Sequence, residues 1–155
     1  MARVELNRQI AVSPEHLFAF FVPQRMPYWY GAEMQSCFEV QDGAAEFSVG
    51  LKVRISGQLG NQAVSHTAVV TAFEYARLLE WRFRDSFGVR GLERWQFERD
   101  RAVDSTKLRF LSDYEMPGKL GRVMDVLWTR RAVTQRNRDY LDRLSRLAEG
   151  RGAHA

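Results

Sequence analysis

From Leu51 to Glu115 apolar and polar residues alternate with a period of two, interrupted only by short turn-forming clusters. That rhythm is the signature of strands with one buried face, and it restricts this part of the chain to a sheet. LKVRISGQL sets Leu51, Val53 and Ile55 against Lys52, Arg54 and Ser56, and Gly60-Asn61 marks a hairpin into a strand over 63–75. LLEWRFRD sets Leu79, Trp81 and Phe83 against Glu80, Arg82 and Arg84. After Ser86-Phe87-Gly88, the next strand puts Glu93, Trp95 and Phe97 on one side and Arg94, Gln96 and Glu98 on the other. The last, 105–115, sets Leu108, Phe110, Ser112 and Tyr114 against Lys107, Arg109, Asp113 and Glu115. Such short connections imply antiparallel pairing, because parallel neighbours need crossovers of a dozen residues or more.

The flanks are readable too. VELNRQIAV alternates Val4, Leu6, Ile10 and Val12 with polar residues, Arg8 alone breaking the apolar series. Ser13 then reads as an N-cap with Pro14 in the first helical turn, and Leu17, Phe18, Phe20 and Phe21 make a short apolar helix that Pro23 ends. PYWYG, between Pro27 and Gly31, reads as a second helical turn or two, followed by a strand near 34–41, a turn at Gln41-Asp42-Gly43 and a loop or irregular edge over 44–50. Past Pro117-Gly118, the proline-free stretch 119–149 reads as one helix, roughly 45 Å long at 1.5 Å per residue.

Strand, two short helices, six strands and a long helix describe an α+β chain. A twisted antiparallel sheet must cover its apolar face, and the terminal helix is the one element long enough to cross it. The expectation is a single domain over 1–149 with a flexible tail at 150–155. A chain of this size buries roughly 70% of its unfolded surface, so a core is available without staples. Cys37 is the only cysteine, which excludes an intrachain disulfide and points to a reducing, cytoplasmic setting. MARVELNRQI lacks the apolar run of a signal peptide, and no segment approaches a transmembrane helix, so the chain is expected to be soluble, with transient membrane contact left open. Residues 119–151 carry a net +5 and the rest −1. The i,i+4 pairs Asp139–Arg143, Asp142–Arg146 and Arg138–Asp142 explain those arginines as a solvated helix face, and the absence of any nucleic-acid-binding motif argues against nucleic acid as a partner.

This order resembles the START-like, helix-grip superfamily, also called SRPBCC, which includes birch-pollen-allergen-like and polyketide cyclase/dehydrase-like proteins. The residues that carry the resemblance are SPEHLFAFFVPQRMPYWY, TAVVTAFEYARLLEWRF and the Met-Pro-Gly lead into the final helix, and it spans nearly the whole chain. It implies a curved antiparallel sheet of about seven strands wrapped around the C-terminal helix. It further implies an apolar cavity between them for a lipid, polyketide or aromatic molecule, with the short helices near its mouth.

The inward strand positions Val53, Ile55, Trp81, Phe83, Trp95, Phe97, Phe110 and Tyr114, with Leu51 beside them, are as a group candidate cavity wall, although any one of them singly reads better as packed core. From the connector, Tyr28, Trp29 and Tyr30 divide between core and cavity mouth, with at least one capping the mouth. On the helix, Leu120, Val123, Met124, Leu127 and Trp128 share one face; Val133, Tyr140, Leu141, Leu144 and Ala148 centre about 100° away. Arg130, Thr134 and Asn137 sit at the crossover, which marks a bend or turns polar groups to the cavity; Leu127, Arg130 and Thr134 complete the candidate ligand-binding set.

Glu93 is the sharpest single candidate, because strand parity places its carboxyl among apolar rings, where ionisation is costly. Arg8 is a candidate partner. A strand-end carboxylate reaching water, or a bulge at Gly91 reversing the parity, explains the same residue without a site. His66 sits on the side of Ala68 and Val70, with Val69 and Phe73 on the other, which leaves its facing open. Glu93, Tyr114 and His66 are the candidates for proton transfer. His16 reads as a first-turn helix residue and His154 as tail. No HExxH, CxxC, GxSxG or Walker spacing occurs, so no metal and no dissociable cofactor is expected.

The leading function is therefore binding or transport of a hydrophobic small molecule without catalysis. A cyclase- or dehydratase-type enzyme of the same fold and a co-chaperone-like protein-interaction module are the alternatives, in a monomer or homodimer.

Overall fold

The computed structural model describes residues 2–118 and 130–150. Strand β1 (Ala2–Ile10) leads through α1 (Pro14–Phe18) and two one-turn 3-10 helices (Met26–Tyr28, Ala32–Met34) to β2 (Cys37–Val40). Strands β3 (Lys52–Leu59), β4 (Gln62–Glu74), β5 (Leu78–Asp85), β6 (Arg90–Asp100) and β7 (Ser105–Glu115) follow, and then helix α2 (Arg130–Ala148). All seven strands form one antiparallel sheet in the order β1-β7-β6-β5-β4-β3-β2, so every tight reversal joins neighbours and only β1 has crossed to pair with the last strand. This is the helix-grip α+β architecture. The start of the long helix, with Leu120, Val123, Met124, Leu127 and Trp128, lies outside the described residues, as do His154 and residues 151–155 of the tail.

Periodicity translates directly into burial. Val53 and Ile55 of β3, Trp81 of β5, Trp95 and Phe97 of β6, and Leu108 and Phe110 of β7 are buried on the inner face. The outer face carries the charged alternates, tied by Arg3–Asp113, Arg109–Glu5 and Arg94–Glu80. Ser13 caps α1 by accepting the His16 amide, and Phe18 and Phe21 plug the sheet against Phe97, with ring centroids 5.2 and 4.8 Å away. His16 also reaches the far end of α2, its Nε2 lying 3.1 Å from the Ala148 carbonyl oxygen.

Two local features decide which side chains face inward. The register of β6 runs unbroken through Gly91, opposite Phe83 on one side and Tyr114 on the other, so no bulge reverses the parity of Glu93. Glycine is required there because a Cβ would stand 2.1 Å from the Asp113 carbonyl oxygen. The irregularity falls instead in β4, where the register shifts between Val70 and Ala72. That slip puts both His66 and Phe73 on the inner face, which uninterrupted alternation forbids. The segment 44–50 is irregular as expected, yet it delivers Phe47 into the core against Trp81.

On α2, none of the three expected i,i+4 ion pairs forms among the described residues. Asp142 pairs instead with Arg8 of β1, and Arg143 lies 3.7 Å from Glu33 beside the second 3-10 turn. Long-range partners win because the helix is clamped against the sheet, bringing fixed charges closer than a flexible neighbour on its own surface. Arg8 is thereby committed to Asp142 and is not the partner of Glu93.

Candidate functional site

The three rings of PYWYG take three environments because consecutive residues in a tight turn diverge. Tyr28 is 71% exposed. Trp29 is fully buried, its indole N–H donating to the Phe20 carbonyl oxygen at 2.9 Å. Tyr30 points inward, and its hydroxyl donates to Glu93 Oε1 at 2.8 Å. Gly31, at φ 68°, turns the chain immediately afterwards so that Tyr30 stays beneath α2.

Glu93 is 5% exposed. The Trp81 indole N–H stands 3.5 Å from the same Oε1, and His66 Nε2 lies 3.5 Å from the Tyr30 hydroxyl. The result is a short polar chain, Glu93–Tyr30–His66, set among aromatic rings from three strands and the connector. Burial raises the Glu93 pKa, against the lowering influence of the Tyr30 hydrogen bond, Arg136 and Trp81. Burial raises Tyr30 well above the ordinary phenol value, reinforced by the charge of Glu93. Burial, then the nearby Arg136, lowers His66 to about 4, so near neutral pH its ring is uncharged.

These groups face a cavity of about 280 Å³ enclosed between the sheet and α2. Ile55, Val64 and Phe83 supply apolar wall from β3, β4 and β5, while Ser112 and Tyr114 come from β7. Helix α2 contributes Val133, Arg136, Asn137 and Tyr140 at helical spacing. The exposed lining residues Ser86 and Phe87 place an opening beside the β5–β6 turn, where Asp85 accepts the Phe87 and Val89 amides at 2.9 Å each. Tyr140 donates to Glu33 at 2.7 Å, and burial together with Glu33 raises its pKa.

Of the residues singled out from the sequence, Tyr30, Ile55, His66, Phe83, Glu93 and Tyr114 line this cavity. Trp29, Trp95 and Phe110 stack into one another below it, around a crevice with no room for water, and Val53, Trp81 and Phe97 are packed core. Thr134 donates to the Arg130 carbonyl, and exposed Arg130 reaches the Arg3 carbonyl oxygen. Neither they nor Tyr28 contribute to the wall, and Leu127 lies outside the described residues. Arg136, Ser112 and Tyr140 were not singled out as ligand contacts, and Asn137 only as a crossover residue. Strand parity already sets Ser112 beside Phe110 and Tyr114; the signal that finds the helical residues is the set Val133, Arg136, Asn137 and Tyr140 at i, i+3, i+4 and i+7, one helical stripe that happens to be half polar.

Among the described residues no three His, Cys, Asp or Glu side chains are arranged to hold a metal ion. No helix there is long and apolar enough to cross a membrane.

A family model described as polyketide cyclase/dehydrase and lipid transport matches residues 1–149. No curated protein matches significantly. Solved structures agree on the fold at low identity. A protein from Arthrobacter aurescens superposes with a TM-score of 0.74 at 14% identity, over 96% of this chain and 86% of that one. A protein from Mesorhizobium loti gives 0.71 at 16%, over 94% and 96%. DynU16, from the dynemicin biosynthetic locus, gives 0.68 at 17%; 95% of this chain is covered but only 47% of that one.

Proposed function

Because the chain belongs to the polyketide cyclase/dehydrase and lipid transport family, we propose that it binds a compact hydrophobic small molecule in the cavity between the sheet and α2. The observation that carries this reading is the cavity itself: an apolar wall of Ile55, Val64 and Phe83 facing a buried polar group, Glu93 with Tyr30. Binding sites for small molecules combine those two ingredients, mostly apolar surface with a few placed polar groups. At about 280 Å³ the cavity lies at the small end of the ~300–1,000 Å³ typical of small-molecule sites. That capacity suits a molecule of one or two rings better than a long acyl chain or a sterol.

Native mass spectrometry of freshly purified protein, followed by identification of any released molecule, tests the proposal. A small ring compound recovered unchanged, and displaced from a variant whose cavity is filled by Ser112→Leu, is the expected result. Retention of a long-chain lipid, or a molecule held equally by the filled variant, argues against it.

A second reading, catalysis of proton transfer, draws on one specific observation. The Glu93 carboxyl with its raised pKa, the Tyr30 hydroxyl and the uncharged His66 ring form a connected donor–acceptor chain at the cavity floor. Groups of this kind move protons to and from a bound carbonyl or enol. Under this reading Glu93→Gln abolishes turnover while leaving affinity within a few-fold. Under the binding reading it changes affinity and there is no turnover to lose.

A further inference from the structure

The polar groups around the cavity are unequally supplied. The acceptors are already served: Glu93 receives Tyr30 and Trp81, Asp85 receives two turn amides, and Glu33 behind Tyr140 receives its hydroxyl. The donors are not. Asn137 is 5% exposed, lines the cavity and makes no side-chain hydrogen bond among the described residues. Ser112, 4% exposed, is in the same position. Arg136, the one Lys or Arg side chain of the described cavity wall, is exposed along part of its length and has neither a hydrogen bond nor an ion pair within 4 Å among the described residues; Glu93 and Glu33 act on it only as through-space charges. A guanidinium offers five N–H donors and no acceptor, and an amide that faces a cavity without a protein partner is available to a ligand. Asn137 and Ser112 can each donate or accept, so it is Arg136, a pure donor, that favours ligand oxygen carrying charge.

We propose that the ligand is a small ring compound bearing a carboxylate, whose charged oxygens are held by Arg136 with Asn137 as a second donor, while the ring lies against Ile55 and Phe83. This rests on the reading of the cavity as a binding site and names the chemical class it takes. Arg136 is partly solvated from outside, so the carboxylate enters without complete loss of water, and the ring supplies the apolar burial. Glu93 stays hydrogen-bonded to Tyr30 and Trp81 and makes no ion pair with the guanidinium, although its charge is felt there.

A matched pair of probes, 2-naphthoate and 2-naphthylmethanol, tests this by titration calorimetry on the full chain. The acid is expected to bind at least about tenfold more tightly than the alcohol, the least that a charged hydrogen bond confers. Arg136→Gln should erase that advantage without weakening the alcohol, and Arg136→Lys should restore part of it, which separates charge from packing. Ser112→Leu should abolish binding of both. Equal affinity for the two probes in the wild type, or an equal loss of both in Arg136→Gln, overturns the carboxylate assignment and leaves cavity binding intact. Acid binding that survives Ser112→Leu places it elsewhere on the basic surface and overturns the assignment as well. Binding of neither probe overturns the cavity reading and this inference together.

Discussion

Glu93 and Tyr30 form a pair in which each explains the other. An apolar strand position tolerates a carboxyl group only if a donor meets it, and the Tyr30 hydroxyl does so at 2.8 Å. Tyr30→Phe keeps the ring but leaves Glu93 with only the longer Trp81 contact; a loss of about 1–3 kcal/mol in urea unfolding is expected. Its neighbours in the connector predict a graded series. Trp29→Ala empties a fully buried site and should cost about 3–5 kcal/mol, whereas Tyr28→Ala should stay within about 0.5 kcal/mol. Titration separates Glu93 from His66. The folded-state pKa of His66 is lowered from 6.5 to about 4, so its contribution is present above pH 6.5 and lost as pH falls toward 4. That of Glu93 is raised above 4.5, so its contribution is full below 4.5 and lost as pH rises through the raised value. Melting temperatures measured from about pH 4 to about pH 8 should show a shallower acid-side decline in His66→Gln and a smaller loss on the alkaline side in Glu93→Gln. Identical profiles for the variants and the wild type would remove these groups from the pH response.

At the scale of elements, inner-face membership is a matter of register. The eleven residues of β6 keep strict alternation because Gly91 lets β7 approach without a side chain between them. Gly91→Ala drives a Cβ into backbone and should destabilise by about 1–3 kcal/mol, read from the shift in the urea midpoint at constant slope. LERWQF thus allowed the inward facing of Glu93 beside a bulged alternative, and the unbroken register through Gly91 decided between them. The facing of His66 was not legible, since the slip between Val70 and Ala72 leaves no mark in VVTAF: the residues on both sides are small or apolar and fit either face. The aromatic connector shows the same limit. Its rings were expected to divide between core and mouth; Trp29 is core, Tyr30 lines the cavity interior and Tyr28 is exposed away from its wall, because the rotation of the two 3-10 turns against the sheet sets which way each ring points.

Across the whole molecule, the clamp of α2 on the sheet draws on partners far apart in sequence. Arg8 with Asp142 fastens the helix to β1, and His16 meets its last turn at Ala148. Both members of the Arg8–Asp142 pair are partly solvated, so a double-mutant cycle should return a coupling of no more than about 1 kcal/mol, diminishing in high salt. A coupling insensitive to salt would mark it as a desolvated pair instead. The residues that surround the cavity come from five strands, the connector and α2, and this explains how the labour divides between sequence and fold. Alternation, caps and turn residues act within a few positions of one another, and by themselves they determined seven strands, their antiparallel pairing, the covering helix and the inward side of Trp81, Trp95 and Phe110. A void has no local cause. It exists where two curved surfaces fail to fill the space between them, so only the tertiary structure decided that Trp95 and Phe110 are packed core while Ile55, Phe83 and Glu93 border open space. It alone placed Arg136 and Asn137 opposite them, because the rotation of α2 about its axis is set by contacts along the whole sheet.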